Sequence, residues 1–277
     1  MIEHAAEVAS GNRFTFGDNW AAFLEKLDES RIAAAENSLR QMLEMDDLRG
    51  QSFLDIGSGS GLFSLAARRL GAKVQSFDYD PASVACTSEL KSRYFPTDED
   101  WTVGSGSVLD RDFINSLPKF DIVYSWGVLH HTGQMWLALE NAELAAKERS
   151  KLFIAIYNDE GGPSRRWLWV KRTYNRLPKL MRPPLLWASF VQLWWRRLLK
   201  DFLTFNFLRT FRTYSSTRGM SPWRDLVDWV GGYPFEVAKP EEIFDFYRAR
   251  GFQLQKIKTC NDLSCNEFVF VRSGPHR

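Results

Sequence analysis

The chain has 277 residues, 44% of them hydrophobic and 25% charged, with a formal net charge of +2. This length accommodates one large α/β domain, or one domain with an insertion, and the composition excludes a disordered or low-complexity chain. Charge is unevenly spread: residues 164–218 carry thirteen Lys and Arg against one acid, Asp201, a net +12 that leaves −10 for the remainder.

In chain order, the N-terminus MIEHAAEVASGNRF lacks a basic segment followed by an apolar one, so no secretion signal is expected and the protein is read as cytoplasmic. Residues 13–48 predict two helices. From 51 to 157 strand-like and helix-like segments alternate. SFLDI (52–56) is a short apolar run closed by glycines, and LFSLAARRLG (62–71) has helical spacing and a C-terminal Gly71. KVQSFD (73–78) reads as the next strand, and PASVACTSELKSRYF (81–95) as a helix with Pro81 in its first turn. FDIVYS (120–125) and KLFIAIY (151–157) are apolar strands on either side of a helical stretch, MWLALENAELAAKE (135–148). Residues 158–235, rich in Trp, Arg and Pro, break the rhythm and suggest short amphipathic helices. PEEIFDFYRARG (240–251) is again helical, and FQLQKIKT (252–259) and NEFVFVR (266–272) form a hairpin, hence an antiparallel pair. The fold class is therefore α/β, a mostly parallel sheet with helices on both faces. Three parts are expected: an N-terminal helical lid (1–49), a core (50–157 and 236–277) and a basic aromatic insertion (158–235).

The cysteines, Cys86, Cys260 and Cys265, are too few for a disulfide scaffold and fit a reducing compartment. No second Cys or His pair accompanies Cys260 and Cys265, so no metal site is expected. The longest apolar stretch, Pro183 to Trp195, stops at Arg196, short of the roughly 18–20 residues of a membrane span.

The densest local signal is Leu54-Asp55-Ile56-Gly57-Ser58-Gly59-Ser60-Gly61-Leu62, a strand running into a glycine turn and then a helix. Glycines there permit positive φ and close approach of a ligand, and amides at a helix start can hold an anionic group. The spacing is G-x-G-x-G, not the G-x-G-x-x-G of dinucleotide folds, and no P-loop Lys follows, so a carboxylate is a better guest than a pyrophosphate. Asp55 either orients the turn or meets an ammonium group. Asp78, ending the second strand, can accept from both ribose hydroxyls. Asp80 either shares that task or serves the helix start beside Pro81. A ligand with ribose, ammonium and carboxylate but no phosphate is S-adenosylmethionine.

With those residues in place, LDIGSGSGLFSL followed by FDYD resembles the nucleotide-binding signature of class I methyltransferases, and the resemblance continues through GSVLD (106–110) and VYSWGVLHHT (123–132). It covers residues 50–157 and the C-terminal hairpin, and is nearest to the quinone-biosynthesis-type small-molecule methyltransferases. It implies a Rossmann-like seven-stranded sheet with an antiparallel last strand and S-adenosylmethionine as methyl donor. It also implies that Ser107 and Val108 flank the adenine, although the family usually has an acid at Ser107. Tyr79 would stack on adenine or ribose, and Ser125 and Trp126 would meet the methionine part. FTFGDNWAAF (14–23) stands where the family places a lid, with Asn19 and Trp20 as its cofactor contacts or as simple helix packing.

Methyl transfer needs alignment, exclusion of water and sometimes a base. His130 and His131, after the fourth strand, are candidates for that base or for holding the loop. Tyr157 and Asn158 end the fifth strand as acceptor-pocket candidates, and Glu236 is a candidate second base. The insertion interleaves its cations with twelve aromatic residues. That pattern suits a peripheral contact with an anionic membrane, a nucleic acid, or a lid over the acceptor or toward a dimer partner. No Asn-Pro-Pro-Tyr-type pocket and no separate RNA-binding domain occur, which argues against nucleic acid. The expected activity is methyl transfer to an O, N or S nucleophile of a small, lipophilic molecule. The alternatives are an RNA methyltransferase or a non-catalytic, membrane-associated protein that binds the same nucleoside.

Overall fold

The alternation of apolar runs resolves, in a computed structural model, into a seven-stranded sheet; residues 2–16, 20, 23–204 and 222–273 are described. Chain order is α1 (Ile2–Ala9), α2 (Glu29–Leu43), β1 (Ser52–Ile56), α3 (Leu62–Arg69), β2 (Lys73–Asp78), α4 (Pro81–Tyr94), β3 (Trp101–Ser105), α5 (Arg111–Ser116), β4 (Phe120–Trp126), a 3-10 turn (Leu129–His131), α6 (Met135–Leu144) and β5 (Ala146–Tyr157). The insertion contributes α7 (Gly162–Arg176), a 3-10 turn (Lys179–Met181), α8 (Arg182–Leu203) and α9 (Pro222–Gly231). α10 (Pro240–Arg248), β6 (Phe252–Lys258) and β7 (Cys265–Arg272) complete the core.

The strand order is β3-β2-β1-β4-β5-β7-β6, with β7 antiparallel to both neighbours. This is the seven-stranded order with an antiparallel β7 that the resemblance implies. Successive residues of a strand point to opposite faces, and the core follows that rule. Phe53, Ile122, Phe153 and Val269 face α2, α3 and α4, whereas Leu54, Val123, Ile154 and Phe268 face α5, α6 and α10. All eight are fully buried, and each such side chain contributes roughly 1.5–3 kcal/mol. The parallel order β2-β1-β4 reverses direction of growth at β1 and β4. Ligands of doubly wound sheets bind at the carboxyl edge beside such a switch point.

Two expectations are revised. The helix expected over 135–148 ends at Leu144, because β5 begins at Ala146 and pairs with Phe120. Arg149 then takes φ 59° and the register jumps to Ile122–Lys151, while the Lys147 ammonium donates to both oxygens of Asp121 at 2.8 and 2.9 Å. The N-terminal segment also divides. α2 belongs to the core layer beside α3, through Ile32, Leu39 and Leu43, and only the residues before it reach the carboxyl edge.

Candidate functional site

β1 delivers the chain into the turn Gly57–Gly61, whose first and third residues have φ +76° and +55°. A Cβ on Gly57 would lie 2.4 Å from Val128 Cγ1, and one on Gly59 would lie 3.1 Å from the Trp20 indole. The turn is thus pressed between the loop after β4 and the N-terminal strap. Its amides are largely engaged by protein. Gly57 and Ser58 N–H donate to the Phe77 carbonyl at 2.8 and 3.2 Å, Gly61 N–H donates to the Ser58 carbonyl at 2.8 Å, and Gly59 N–H donates to Asp78 Oδ2 at 2.9 Å. The expected open cradle of anion-binding amides is corrected accordingly: the glycines are required first by protein packing.

Asp78 also accepts from Asp80 N–H at 2.9 Å, so one carboxylate clamps the end of β2 to the glycine turn. Burial pushes its pKa up to about 6. Asp80 caps α4, accepting from Ala82 N–H at 2.9 Å, the helix-start role rather than a second ribose ligand. Asp55 is 2% exposed and turns beneath the turn, away from the carboxyl edge. It accepts from Ser64 Oγ at 2.5 Å, in a chain that continues through Ser76 to the Trp101 indole N–H. Burial raises it to about 7. It orients the turn and does not reach an ammonium in the cleft. Ser58 is buried against Thr87, their hydroxyls 2.8 Å apart.

After β3, Ser107 Oγ accepts from Leu109 N–H at 3.2 Å and Val108 is buried. Tyr79 is covered by Arg13, whose guanidinium carbon lies 4.9 Å from the ring centre, and by the His4 ring at 5.3 Å. Ser125 is fully buried and donates to the Ile56 carbonyl at 3.0 Å, so it ties β4 to β1 and does not face the cleft as expected. Trp126, next in the strand, is exposed. Trp20 lies against Gly59; Asn19 lies outside the described residues.

The two histidines follow Val128. His130 is fully buried, its Nδ1 accepting from Tyr157 N–H at 3.3 Å and its ring 4.0 Å from that of Tyr157. Burial holds it well below the ordinary imidazole range. His131 Nδ1 lies 2.6 Å from the Pro234 carbonyl, so that nitrogen carries the proton and donates. Burial, outweighing that bond, takes His131 to about 3. Both rings are neutral at physiological pH, and both hold the loop. Gly231–Glu236 returns to this mouth, with Glu236 N–H donating to the His130 carbonyl at 3.0 Å. The Glu236 carboxylate receives Met135 N–H at 3.0 and 3.1 Å, so it caps the start of α6 and is not a base aimed at the cleft. Asn158 is likewise turned to structure, accepting from Asn266 at 3.0 Å across to β7.

Two residues escaped the sequence reading. Arg13 spans the mouth: it covers Tyr79, pairs with Glu7 at 2.6 Å and donates to the His131 carbonyl at 3.1 Å. No pattern announces it. Lys171 on α7 is fully buried. Its ammonium donates to the Trp229 carbonyl and sits 4.1 and 4.8 Å from the Trp229 and Phe235 ring centres. Burial lowers it to about 7. Its spacing with Trp167, Val170 and Tyr174 places it on the apolar stripe of α7, and that was readable. Among the described residues no cluster of His, Cys, Asp and Glu could hold a metal.

The order and direction of the seven strands define a class, a Rossmann-like methyltransferase fold. Comparison with known proteins agrees: residues 23–196 match the family described as "Methyltransferase domain", and the chain belongs to that family. Among curated relatives, the ribosomal protein L11 methyltransferase of Bacillus cereus is 41% identical over 117 residues, 37% of each chain. That of Bacillus cytotoxicus is 33% identical over 109 residues, 36% of this chain and 35% of its own. The chain thus matches little more than a third of those relatives' length. Among solved structures, a magnesium protoporphyrin IX methyltransferase of Synechocystis with bound SAH has TM-score 0.53 at 13% identity, covering 87% of this chain and 83% of that one. A putative S-adenosylmethionine-dependent methyltransferase of Listeria monocytogenes has TM-score 0.53 at 13% identity, covering 87% and 100%. These two show the fold.

Proposed function

We propose that this cytoplasmic enzyme transfers the methyl group of S-adenosylmethionine to an O, N or S nucleophile of a small, lipophilic acceptor. The observation that carries the reading is the bond from Gly59 N–H to the Asp78 carboxylate at the switch point of the sheet. The residues fit the nucleoside. Gly57–Gly61 would hold the methionine part, with the exposed Trp126 beside it, Asp78 the ribose, and Tyr79, Ser107 and Val108 the adenine. Trp20 and Arg13 would close the mouth. When bound, the cofactor supplies a methyl on a positively charged sulfur, so a C–S bond breaks, a bond to the acceptor forms and the acceptor's proton leaves.

The chain's contribution is chiefly alignment and dryness. Tyr157, Trp229 and Phe235 make a wall of rings 5.2–6.2 Å apart, centre to centre, beside His130. With its Nδ1–H committed to Pro234, His131 keeps Nε2 as a lone pair that can accept a proton, though a weak one at its lowered basicity. An acceptor already acidic enough to ionise suits such a site. The same reading gives the insertion the task of meeting the inner face of a membrane. A second reading rests on the match to ribosomal protein L11 methyltransferases, which supports a protein acceptor.

Calorimetry with S-adenosylmethionine and S-adenosylhomocysteine tests the cofactor. Binding by the wild type, lost in Gly59→Arg and weakened at least about a hundredfold in Asp78→Ala, is expected; a wild type that binds neither refutes the reading. Incubation with labelled cofactor and phenols, quinols, thiols, RNA or ribosomal protein then decides the acceptor. Label on RNA or protein alone would overturn the small-molecule reading.

A further inference from the structure

In a helix resting on a globular core, the apolar stripe faces inward. α8 keeps such a stripe, with Leu186 and Ser189 buried and Leu185 and Phe190 packed into the insertion's own core. Its opposite face is apolar too. Trp187, Val191, Trp195 and Phe202, at intervals of four, four and seven residues, are 57%, 57%, 49% and 62% exposed. The Trp187 ring continues onto Trp223 of α9, 5.3 Å away. At the corner before α8, Leu180 and Met181 stand out from the surface. Single exposed apolar side chains are ordinary, but an aligned run along a helix of this length is not.

The exposed charges of α7 are cationic. Arg165, Arg166, Arg172 and Arg176 of α7 are exposed around the exposed Trp169, and among the described residues none meets a carboxylate. The core treats arginine differently: Arg68, Arg69 and Arg111 each pair with an acid at 2.5–3.0 Å.

We infer that the outward face of α8, with the corner at Leu180–Met181 and the arginines of α7, is a docking surface for an anionic phospholipid bilayer, along which α8 lies rather than through which it passes. No helix of the described residues is long and apolar enough to cross a membrane. Trp, Leu and Phe on one face with cations beside them are the side chains that enter a headgroup zone, while anionic lipid answers the segment's net +12. A second copy is a poorer occupant, since two such faces would bring like charges together. RNA is a poorer one as well, since Val191, Leu199 and Leu203 offer neither stacking nor hydrogen bonds. The surface is coupled to the site. α8 packs on α9, and the chain leaving α9 supplies the Pro234 carbonyl that holds His131. The inference rests on the lipophilic-acceptor reading for its purpose only.

Flotation of the full chain with phosphatidylcholine vesicles, with and without phosphatidylglycerol, tests it without acceptor or cofactor. The wild type is expected to float only with phosphatidylglycerol, and less as salt rises. Trp195→Asp/Phe202→Asp should weaken flotation at least about tenfold, as should Arg165→Glu/Arg172→Glu, each keeping wild-type affinity for S-adenosylhomocysteine by calorimetry. Overturning results are a wild type that ignores phosphatidylglycerol, flotation unchanged in the α8 variant, or light scattering in which that variant merely converts a dimer to a monomer with no wild-type flotation. Failure to bind S-adenosylhomocysteine would sink the methyltransferase reading and leave the vesicle result standing.

Discussion

The sheet core and the insertion solve the same problem in opposite ways. In the core, apolar residues alternate inward along each strand, and Arg68, Arg69 and Arg111 pair with carboxylates. In the insertion, α8 is apolar on two faces, the exposed arginines of α7 meet no carboxylate among the described residues, and the Lys171 ammonium is buried among aromatic rings, with Asp228 as the acid that acts on it. Folding accounts for the core's pattern of apolar side chains, but not for the outward apolar face of α8.

The comparison is broken or sharpened by substitution. Phe153 is enclosed between the sheet and its helices, so Phe153→Ala should cost about 3–5 kcal/mol in chemical denaturation. Trp195→Asp on α8 should stay within about 0.5 kcal/mol. Equal costs would mean that the outward face of α8 is a folding surface after all.

Lys171 gives a pH signature. Its folded value, about 7, lies below the ordinary 10.5, so between those limits the unfolded chain holds the extra proton. Stability therefore rises with pH across that window, by up to about 1.4 kcal/mol per unit, and below pH 7 the burial penalty is complete and constant. Lys171→Met should flatten that slope, read from denaturation midpoints between pH 7 and 10. An unchanged slope would show that the ammonium is solvated.

Smaller effects separate holding from catalysis. Glu236→Ala should cost about 1 kcal/mol through the lost cap on α6, and Glu236→Gln less, both with turnover within a few-fold of wild type. A loss of about a hundredfold or more in Glu236→Gln would restore the carboxylate as a base. His131→Asn, which can still donate to Pro234, should keep more activity than His131→Ala.

How far the sequence could be read follows the same division. Ser52–Ile56 and Lys73–Asp78 were legible to the residue because short apolar runs end there on turn residues. The start of β5 was not, because Ala146–Ser150 is polar and helix-like, and only pairing with Phe120 makes it a strand. In the site, the glycine turn and Asp78 were visible, whereas the inward turn of Asp55 and Ser125 depends on the partners Ser64 and Ile56, which spacing does not disclose. Arg13 was invisible for the same reason, its partners lying beyond β2 and β4.

The central claim is that the Gly57–Gly61 turn and Asp78 grip S-adenosylmethionine. A crystal structure grown with S-adenosylhomocysteine tests it most directly. The account predicts the ribose hydroxyls on the Asp78 carboxylate and the amino-acid part against the turn, with Trp20 closed over it. The nucleoside elsewhere, or Trp20 still seated on Gly59 with the cleft empty at saturating ligand, would contradict it.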